Sequence, residues 1–224
     1  MTHDPPLGAP VPGWTPPPRP ACTPLTGRYC TLAPLDPMRD AADLWQAFST
    51  DDRMWSYLTV GPFASEDELR AYLEQIAPGE DPLFFTIRVE GRALGFASYL
   101  RINPEAGSIE IGHITLSPAL QRTRATTEMQ WLMMREAFRL GYRRYEWKCN
   151  ALNAPSRRAA ERLGFTYEGT HRQALVTKGR NRDTAWFSVL NSEWPVLEQA
   201  FEAWLAPENF DAEGRQKQRL EELR

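Results

Sequence analysis

The chain has 224 residues, of which 42% are hydrophobic and 25% charged, the make-up of one ordinary compact domain. Its formal net charge of -3 lacks the basic surplus with which a general nucleic-acid binder neutralises phosphates. No apolar run approaches the roughly 18–20 residues that cross a bilayer, so neither a nucleic-acid nor a membrane partner is expected.

Cys22, Cys30 and Cys149 are odd in number and widely spaced, which suits neither a disulfide framework nor a zinc site and fits a reducing cytoplasm. Three histidines, His3, His113 and His171, make a multi-histidine metal site a poor expectation, so no metal is assigned. The start, Met1-Thr-His-Asp-Pro-Pro6, has neither the basic residues nor the apolar stretch of a secretory signal.

Residues 1–24 hold nine of the 19 prolines and almost no apolar periodicity. They read as an extended arm, lying on the domain or disordered. The folded domain is expected over residues 25–206, beginning with a strand at 28–32. Asp36-Pro37 opens a helix through Asp40, Leu44 and Phe48. An aromatic loop with Trp55, Tyr57 and Phe63 follows. Ser65 and Glu68 have the spacing of a capping box and start a helix carrying Leu69, Tyr72, Leu73 and Ile76. Pro78-Gly79 ends it.

Runs at 84–90, 93–102 and 108–116, separated by Gly91-Arg92 and by Asn103-Pro104, predict a three-strand antiparallel meander. A helix over 123–140 gathers Ala125, Met129, Leu132, Met133, Ala137 and Leu140 on one face, and Gly141 stops it. The next strand, 143–149, is reached through that helix, so it runs parallel to 108–116. Asn153 caps a further helix that has Pro155 in its first turn and Gly164 at its end. Strands near 171–178 and 183–190 form a hairpin about Gly179-Arg-Asn181. A helix from 193 with Trp194, Leu197, Phe201 and Trp204 leads to a charged tail, 207–224. That aromatic helix fits either a homodimer contact or a cover for the sheet.

The turn after Leu116 carries the first chemical signal. A helix N-terminus offers unpaired N–H groups and about half a positive charge to an anion, and Gln121-Arg-Thr-Arg-Ala-Thr126 adds two guanidiniums and two hydroxyls there. Trp55, Tyr57, Trp147, Arg172, Asp183 and Trp186 are candidates for recognising an acceptor. Each of these aromatics also suits the core, and Asp183 also suits an ion pair with Arg180 or Arg182. His113 and His171 read as structural. Cys149, on a buried strand, reads as a small hydrophobe rather than a nucleophile.

Glu110-Ile-Gly112, Gln121 through Thr126, Asn153-x-x-Ser156, Glu161-Arg-Leu-Gly-Phe165, Glu168-Gly169 and the hairpin from Gly179 to Asp183 together resemble the GNAT N-acetyltransferases, and most of all the ribosomal-protein-alanine (RimJ/RimL-type) branch. The resemblance covers about 27–194. It implies an α/β (α+β) fold: a mixed, mostly antiparallel twisted sheet of about seven strands, helices on both faces, and a V-shaped split between two central parallel strands. It implies acetyl-coenzyme A as donor cosubstrate and an amine, small molecule or protein N-terminus, as acceptor.

On the matching positions, the pantetheine arm would pair with backbone at Ile114, Thr115 and Leu116. The pyrophosphate would lie on Gln121, Arg122, Thr123, Arg124, Ala125 and Thr126, with Asn153, Ser156 and Arg158 also holding the cofactor. Glu110 would be the base, acting through water, and Ser156 would donate to the leaving sulfur. Two positions depart from the family pattern: its turn usually has glycine where this chain has Arg124, and glycine or alanine where it has Thr126. Another departure is Leu175, where some relatives have a second glutamate. These departures leave a rival expectation, a coenzyme A-binding module without transferase activity.

Overall fold

A computed structural model describes residues 5–224. His3 lies outside the described residues. One sheet of eight strands organises the molecule, in the order β1-β2-β3-β4-β5-β6-β8-β7. Its strands are β1 (Leu25–Thr26), β2 (Thr31–Pro34), β3 (Leu83–Val89), β4 (Arg92–Asn103), β5 (Ser108–Leu116), β6 (Arg144–Asn150), β7 (Thr166–Thr177) and β8 (Arg180–Leu190). Five helices cover it: α1 (Pro37–Phe48), α2 (Glu66–Ile76), α3 (Arg124–Leu140), α4 (Ala154–Arg162) and α5 (Trp194–Leu205). Every neighbouring pair is antiparallel except β5 and β6. The mixed α/β sheet and its single parallel pair agree with the expected class, with one more strand than the seven anticipated.

Alternation along the strands divides the core. Ile109, Ile111, Tyr145, Trp147 and Phe187 face α3 and α5, where Met129, Leu132, Met133, Leu197 and Phe201 close a buried cluster. On the other side Phe84, Ala93 and Phe96 meet Leu44, Phe48, Leu69 and Leu73 of α1 and α2. The aromatic residues of α5 are used inside this chain: Trp194, Phe201 and Trp204 are all buried. That helix therefore covers the sheet rather than offering its aromatic stripe to a second copy.

Local signals fix the helix ends. The Asp36 carboxylate accepts from the N–H groups of Met38 and Arg39, Ser65 from Glu68, Thr123 from Thr126 and Asn153 from Ser156. Gly141 ends α3 in the left-handed conformation, φ 101°.

One expected strand is displaced. Residues 28–30 are not in the ladder, because the Glu128 carboxylate on α3 takes their amides: Arg28 N at 2.7 Å, Tyr29 N at 2.6 Å and Cys30 N at 2.8 Å. Of the expected strand only Thr31 and Leu32 enter the ladder, as the start of β2, with Leu25 and Thr26 paired against them. Gly27 permits this approach, since a Cβ there would stand 2.3 Å from Glu128. The β7–β8 hairpin is also longer than expected on its first strand, with register shifts at 167–169 and 171–175.

Segments near residues 14–19 and 207–220 pack on the domain. Arg19 donates to the carbonyls of Ile102 (3.4 Å) and Glu80 (3.2 Å), and Trp14 packs beneath Arg143, whose Cζ is 5.8 Å from the ring centre. Phe210 and Leu220, within the charged tail, are buried against α5 and its neighbours. Among the described residues no helix is long and apolar enough to cross a membrane.

Candidate active site

The parallel pair is joined only at its base. Ser108, Ile109, Glu110 and Ile111 stand opposite Arg144, Tyr145, Glu146 and Trp147, and beyond that register β5 and β6 separate while each continues. A V-shaped split results, with two strand edges that have no partner across it. The β5 lip is irregular. Gly112 faces Ser98 and Thr115 faces Phe96, so β5 takes three steps where β4 takes two. The bulge puts His113 at φ 49°, a left-handed conformation that costs an L-residue roughly 1–2 kcal/mol. Its ring lies 5.1 Å from that of Phe84, and Nδ1 lies 2.9 Å from Ser98 Oγ.

Glu110 lies at the foot of the split, on the α1/α2 side, and is 0% exposed. Arg101 Nε and Lys148 Nζ each stand 3.3 Å from its Oε2. Neither contact is aligned as a hydrogen bond, so neither carboxylate oxygen has a well-aligned partner among the described residues, although the Lys148 ammonium is close enough to act as a weak donor. Burial pushes its pKa up to about 7, against the lowering pull of Lys148 and Arg101. Gly112 keeps space beside it: a Cβ there would meet Leu100 at 2.7 Å and Glu110 Oε1 at 3.3 Å. His113 belongs to the same face, and burial, then the charge of Lys148, hold its pKa below the ordinary value, so its ring is neutral at pH 7. The adjacency Glu110-x-x-His113 was the available sequence signal for it. The bulge that turns it inward was not.

At the end of β5 the chain turns through 117–123 into α3. Gln121 Nε2 donates to the Leu116 carbonyl at 3.1 Å, and Arg122 takes φ 61°. The N–H groups of Arg122, Thr123, Arg124 and Ala125 have no hydrogen-bond partner among the described residues. The positions where relatives have glycine are already helical and need no positive φ. The Arg124 guanidinium lies between two rings, with Cζ 4.8 Å from Tyr29 and 4.8 Å from Phe210. Thr126 Oγ1 donates to the Leu120 carbonyl. Both side chains therefore have partners within the protein.

Across the split, Asn153 caps α4 through the Ser156 amide at 3.1 Å. Trp147 Nε1 donates to Ser156 Oγ at 3.2 Å, which leaves the hydroxyl proton of Ser156 to point elsewhere. Cys149 is buried nearby, and burial raises its thiol pKa. Arg158 is exposed on the same helix. The α3 start follows β5 and the α4 start follows β6, so the two helix starts come after the two strands that part at the split.

The proposed acceptor residues divide. Trp186 lies beside Glu110: Arg101 Cζ is 5.1 Å and Lys148 Nζ 5.3 Å from its ring centre, and the His171 ring is 5.2 Å away. Tyr57 spans the mouth, its hydroxyl donating to the Leu152 carbonyl at 3.2 Å. Trp55 is 2% exposed and packs on Phe48 and Phe63, so it supports this loop from within. Trp147 points to the α4 side. Arg172 lies exposed on the edge strand β7. Asp183 accepts from Gln173 N (2.7 Å) and Asn181 Nδ2 (3.0 Å) within its own hairpin, not from Arg180 or Arg182. Sequence reasoning missed the tie between this hairpin and the aromatic loop. Lys178 Nζ donates to the carbonyls of Trp55 (2.9 Å) and Val60 (3.1 Å), and Arg182 Nη1 to that of Tyr57 (3.3 Å). A cavity of about 340 Å³ between α1 and this loop, lined by Trp45, Phe48 and Asp52, lies behind Phe48 and away from Glu110.

Comparison with known proteins agrees with this architecture. The family model described as acetyltransferase (GNAT) domain matches residues 30–166. The chain is 47% identical to a GCN5-related N-acetyltransferase of known crystal structure from Brucella melitensis, over 95% of this chain and 99% of that one, with a TM-score of 0.93. It is 41% identical to a probable GNAT-family acetyltransferase from Chromobacterium violaceum, over 87% and 100% of the two chains, with a TM-score of 0.81. Among curated proteins, an uncharacterized N-acetyltransferase, p20, from Bacillus licheniformis is 27% identical over 158 residues, 68% of this chain and 89% of p20. With more than half of its length matched by the family model and the split sheet in place, the chain belongs to the GNAT acetyltransferase family.

Proposed function

We propose that this chain moves an acetyl group from acetyl-coenzyme A to a primary amine, of a small molecule or a protein N-terminus, by direct attack with both bound at once. The observation that carries the proposal is Glu110: a buried carboxylate without a well-aligned hydrogen-bond partner, titrating at about 7, at the foot of an open strand split. An α-amino group has a pKa of about 8 and is mostly protonated at neutral pH. A base near 7 is matched to removing that proton, directly or through one water. Other carboxylates near the split are engaged elsewhere, Asp183 by its own hairpin.

Acetyl-coenzyme A supplies the activated thioester. Its pantetheine would lie along the backbone of Ile114, Thr115 and Leu116, and its pyrophosphate on the amides of Arg122–Ala125 with Gln121 and Thr126 flanking. Asn153 would hold the α4 start open, Arg158 would attract phosphate charge, and Ser156 Oγ–H would donate to the departing sulfur. A thiol of pKa about 8.5 needs only that modest help. The rest of the acceleration is positional. The RimJ/RimL-type assignment rests on the Asn153-x-x-Ser156 and Leu163-Gly-Phe165 motifs, and a reducing cytoplasm suits the free cysteines.

The rival, coenzyme A binding without transfer, arises from Arg124 and Thr126. The two-ring seat of Arg124 and the Thr126 bond to Leu120 support transfer over this rival, since both side chains have partners of their own. Calorimetric titration with acetyl-coenzyme A, paired with thiol release over an amine panel, tests the choice. Transfer requires binding and amine-dependent thiol release. Binding with no thiol release from any amine selects the rival.

A further inference from the structure

Strand β8 presents Arg182, Thr184 and Trp186 on the face that holds Glu110, because Thr184 stands opposite Asn150 and Trp186 opposite Lys148, at alternate positions of β6. Each of the three has a buried polar atom without a hydrogen-bond partner among the described residues: Arg182 Nε, Thr184 Oγ1 and Trp186 Nε1. Leaving such an atom unpaired away from water is unfavourable. Three on alternate residues of one strand, beside a reactive carboxylate, point to a partner that arrives with the substrate.

The chemistry of that partner follows from the donors. Arginine and indole nitrogens only donate hydrogen bonds, so two of the three atoms require an acceptor. The charge balance agrees. Arg101, Lys148 and Arg182 surround this face, against Glu110, while Glu146 is engaged by Arg144. An ammonium group finds no receptor beyond Glu110. The Trp186 ring already has two of the protein's own cations over it, and Asp183 is engaged within its hairpin.

We propose that the acceptor is a small amine bearing an anionic oxygen group, a carboxylate or a phosphate, that is bound by Arg182 with Thr184 and the Trp186 indole while its amine faces Glu110. The proposal rests on the acetyl-transfer reading of the site and narrows it. A free amino acid qualifies. A peptide N-terminus, with an amide in place of the carboxylate, does not. Arg182 is suited to holding an oxyanion, because the bond from its Nη1 to the Tyr57 carbonyl fixes the guanidinium while Nε remains unused. A planar fork held in place matches either a carboxylate or a phosphate.

The test uses binding, so that it survives failure of the transfer reading. The full chain, saturated with coenzyme A, is titrated calorimetrically with a pool of L-amino acids, with the matching amino-acid amides, and with 2-aminoethyl phosphate. The expected result is binding of one or both anionic probes at least about tenfold tighter than the amides, with Arg182→Gln erasing the difference. Preference for the pool or for 2-aminoethyl phosphate identifies the oxyanion. Thr184→Val, a milder change, is expected to weaken the anionic probe severalfold and leave the amides unchanged, and melting curves confirm that both variants fold. Equal binding of acids and amides, no binding of either anionic probe, or an Arg182→Gln loss shared equally by amides overturns the proposal. Anion-selective binding without acetylated product from any amine would instead overturn transfer and leave the anion site standing.

Discussion

Two buried glutamates, one on β5 and one on the α3 helix that follows it, show how differently this fold treats the same side chain. Glu128 is 2% exposed and accepts three backbone N–H groups at 2.6–2.8 Å. Glu110 is 0% exposed and accepts none. The first carboxylate is matched by donors arranged around it and ties a loop to a helix. The second has two cations beside it, poorly aligned, and burial lifts its pKa to about 7. A satisfied buried charge is a fastener. An unsatisfied one costs stability, and the proposed reading gives that cost a chemical use.

Breaking the comparison at its reactive end should give the largest effect. Glu110→Gln keeps the shape and removes the base, so kcat/KM is expected to fall by about 10²–10⁴-fold in a thiol-release assay, with acetyl-coenzyme A affinity unchanged. The wild-type rate should rise with pH through about 7, since the base acts ionised, and the variant should lack that limb. Breaking it at the structural end should act on stability instead. Glu128→Ala strands three amides and is expected to cost on the order of 3 kcal/mol in urea unfolding, with little change in turnover of the folded fraction.

The same pair can be sharpened through pH. The folded-state pKa of Glu110 lies above its unfolded value, so the native state holds the extra proton between about 4.5 and 7. Stability from this group is complete below about 4.5 and is lost as pH rises through 7. Glu110→Gln should therefore unfold later than wild type at pH 8, by up to about 3 kcal/mol, and show no gain at pH 4. Lys148→Met removes a cation that lowers the Glu110 pKa, so the rising limb of the rate profile should move to higher pH. The smallest effect is expected from Arg124→Ala: losing its seat between Tyr29 and Phe210 should cost about 1 kcal/mol and leave acetyl-coenzyme A binding nearly intact in calorimetry.

Much of this scaffold was legible because local rules decide it. Alternation alone places Ile109 and Ile111 opposite Glu110, and the structure gives β5 the bounds expected for it. Thr123, Asn153 and Gly141 mark helix ends by chemistry confined to one turn. Glu110 was legible through the family resemblance, but its missing hydrogen bonds were not. The illegible parts depend on distant partners. The strand expected at 28–32 starts late because of a residue on α3. The His113 bulge depends on the register of β4. Arg182 reaches the Glu110 face only because β8 lies against β6, and the Lys178 tie requires a loop 118 residues earlier in the chain.

The bond from Glu128 to Arg28 joins residues 100 apart in the chain. Local turns of helix form in well under a millisecond, while contacts across long stretches of chain wait for the intervening segments to collapse. The two ends of α3 therefore keep different clocks. Gly141 sets the far end at once from its own neighbours. The near end, where coenzyme A is expected to dock, is pinned only when the loop about residue 28 returns to it. Pulsed hydrogen exchange should find the amides of Arg28, Tyr29 and Cys30 protected late in refolding, after those of α3 itself. A refolding chain would then complete the body of α3 first and fix its N-terminal turn last.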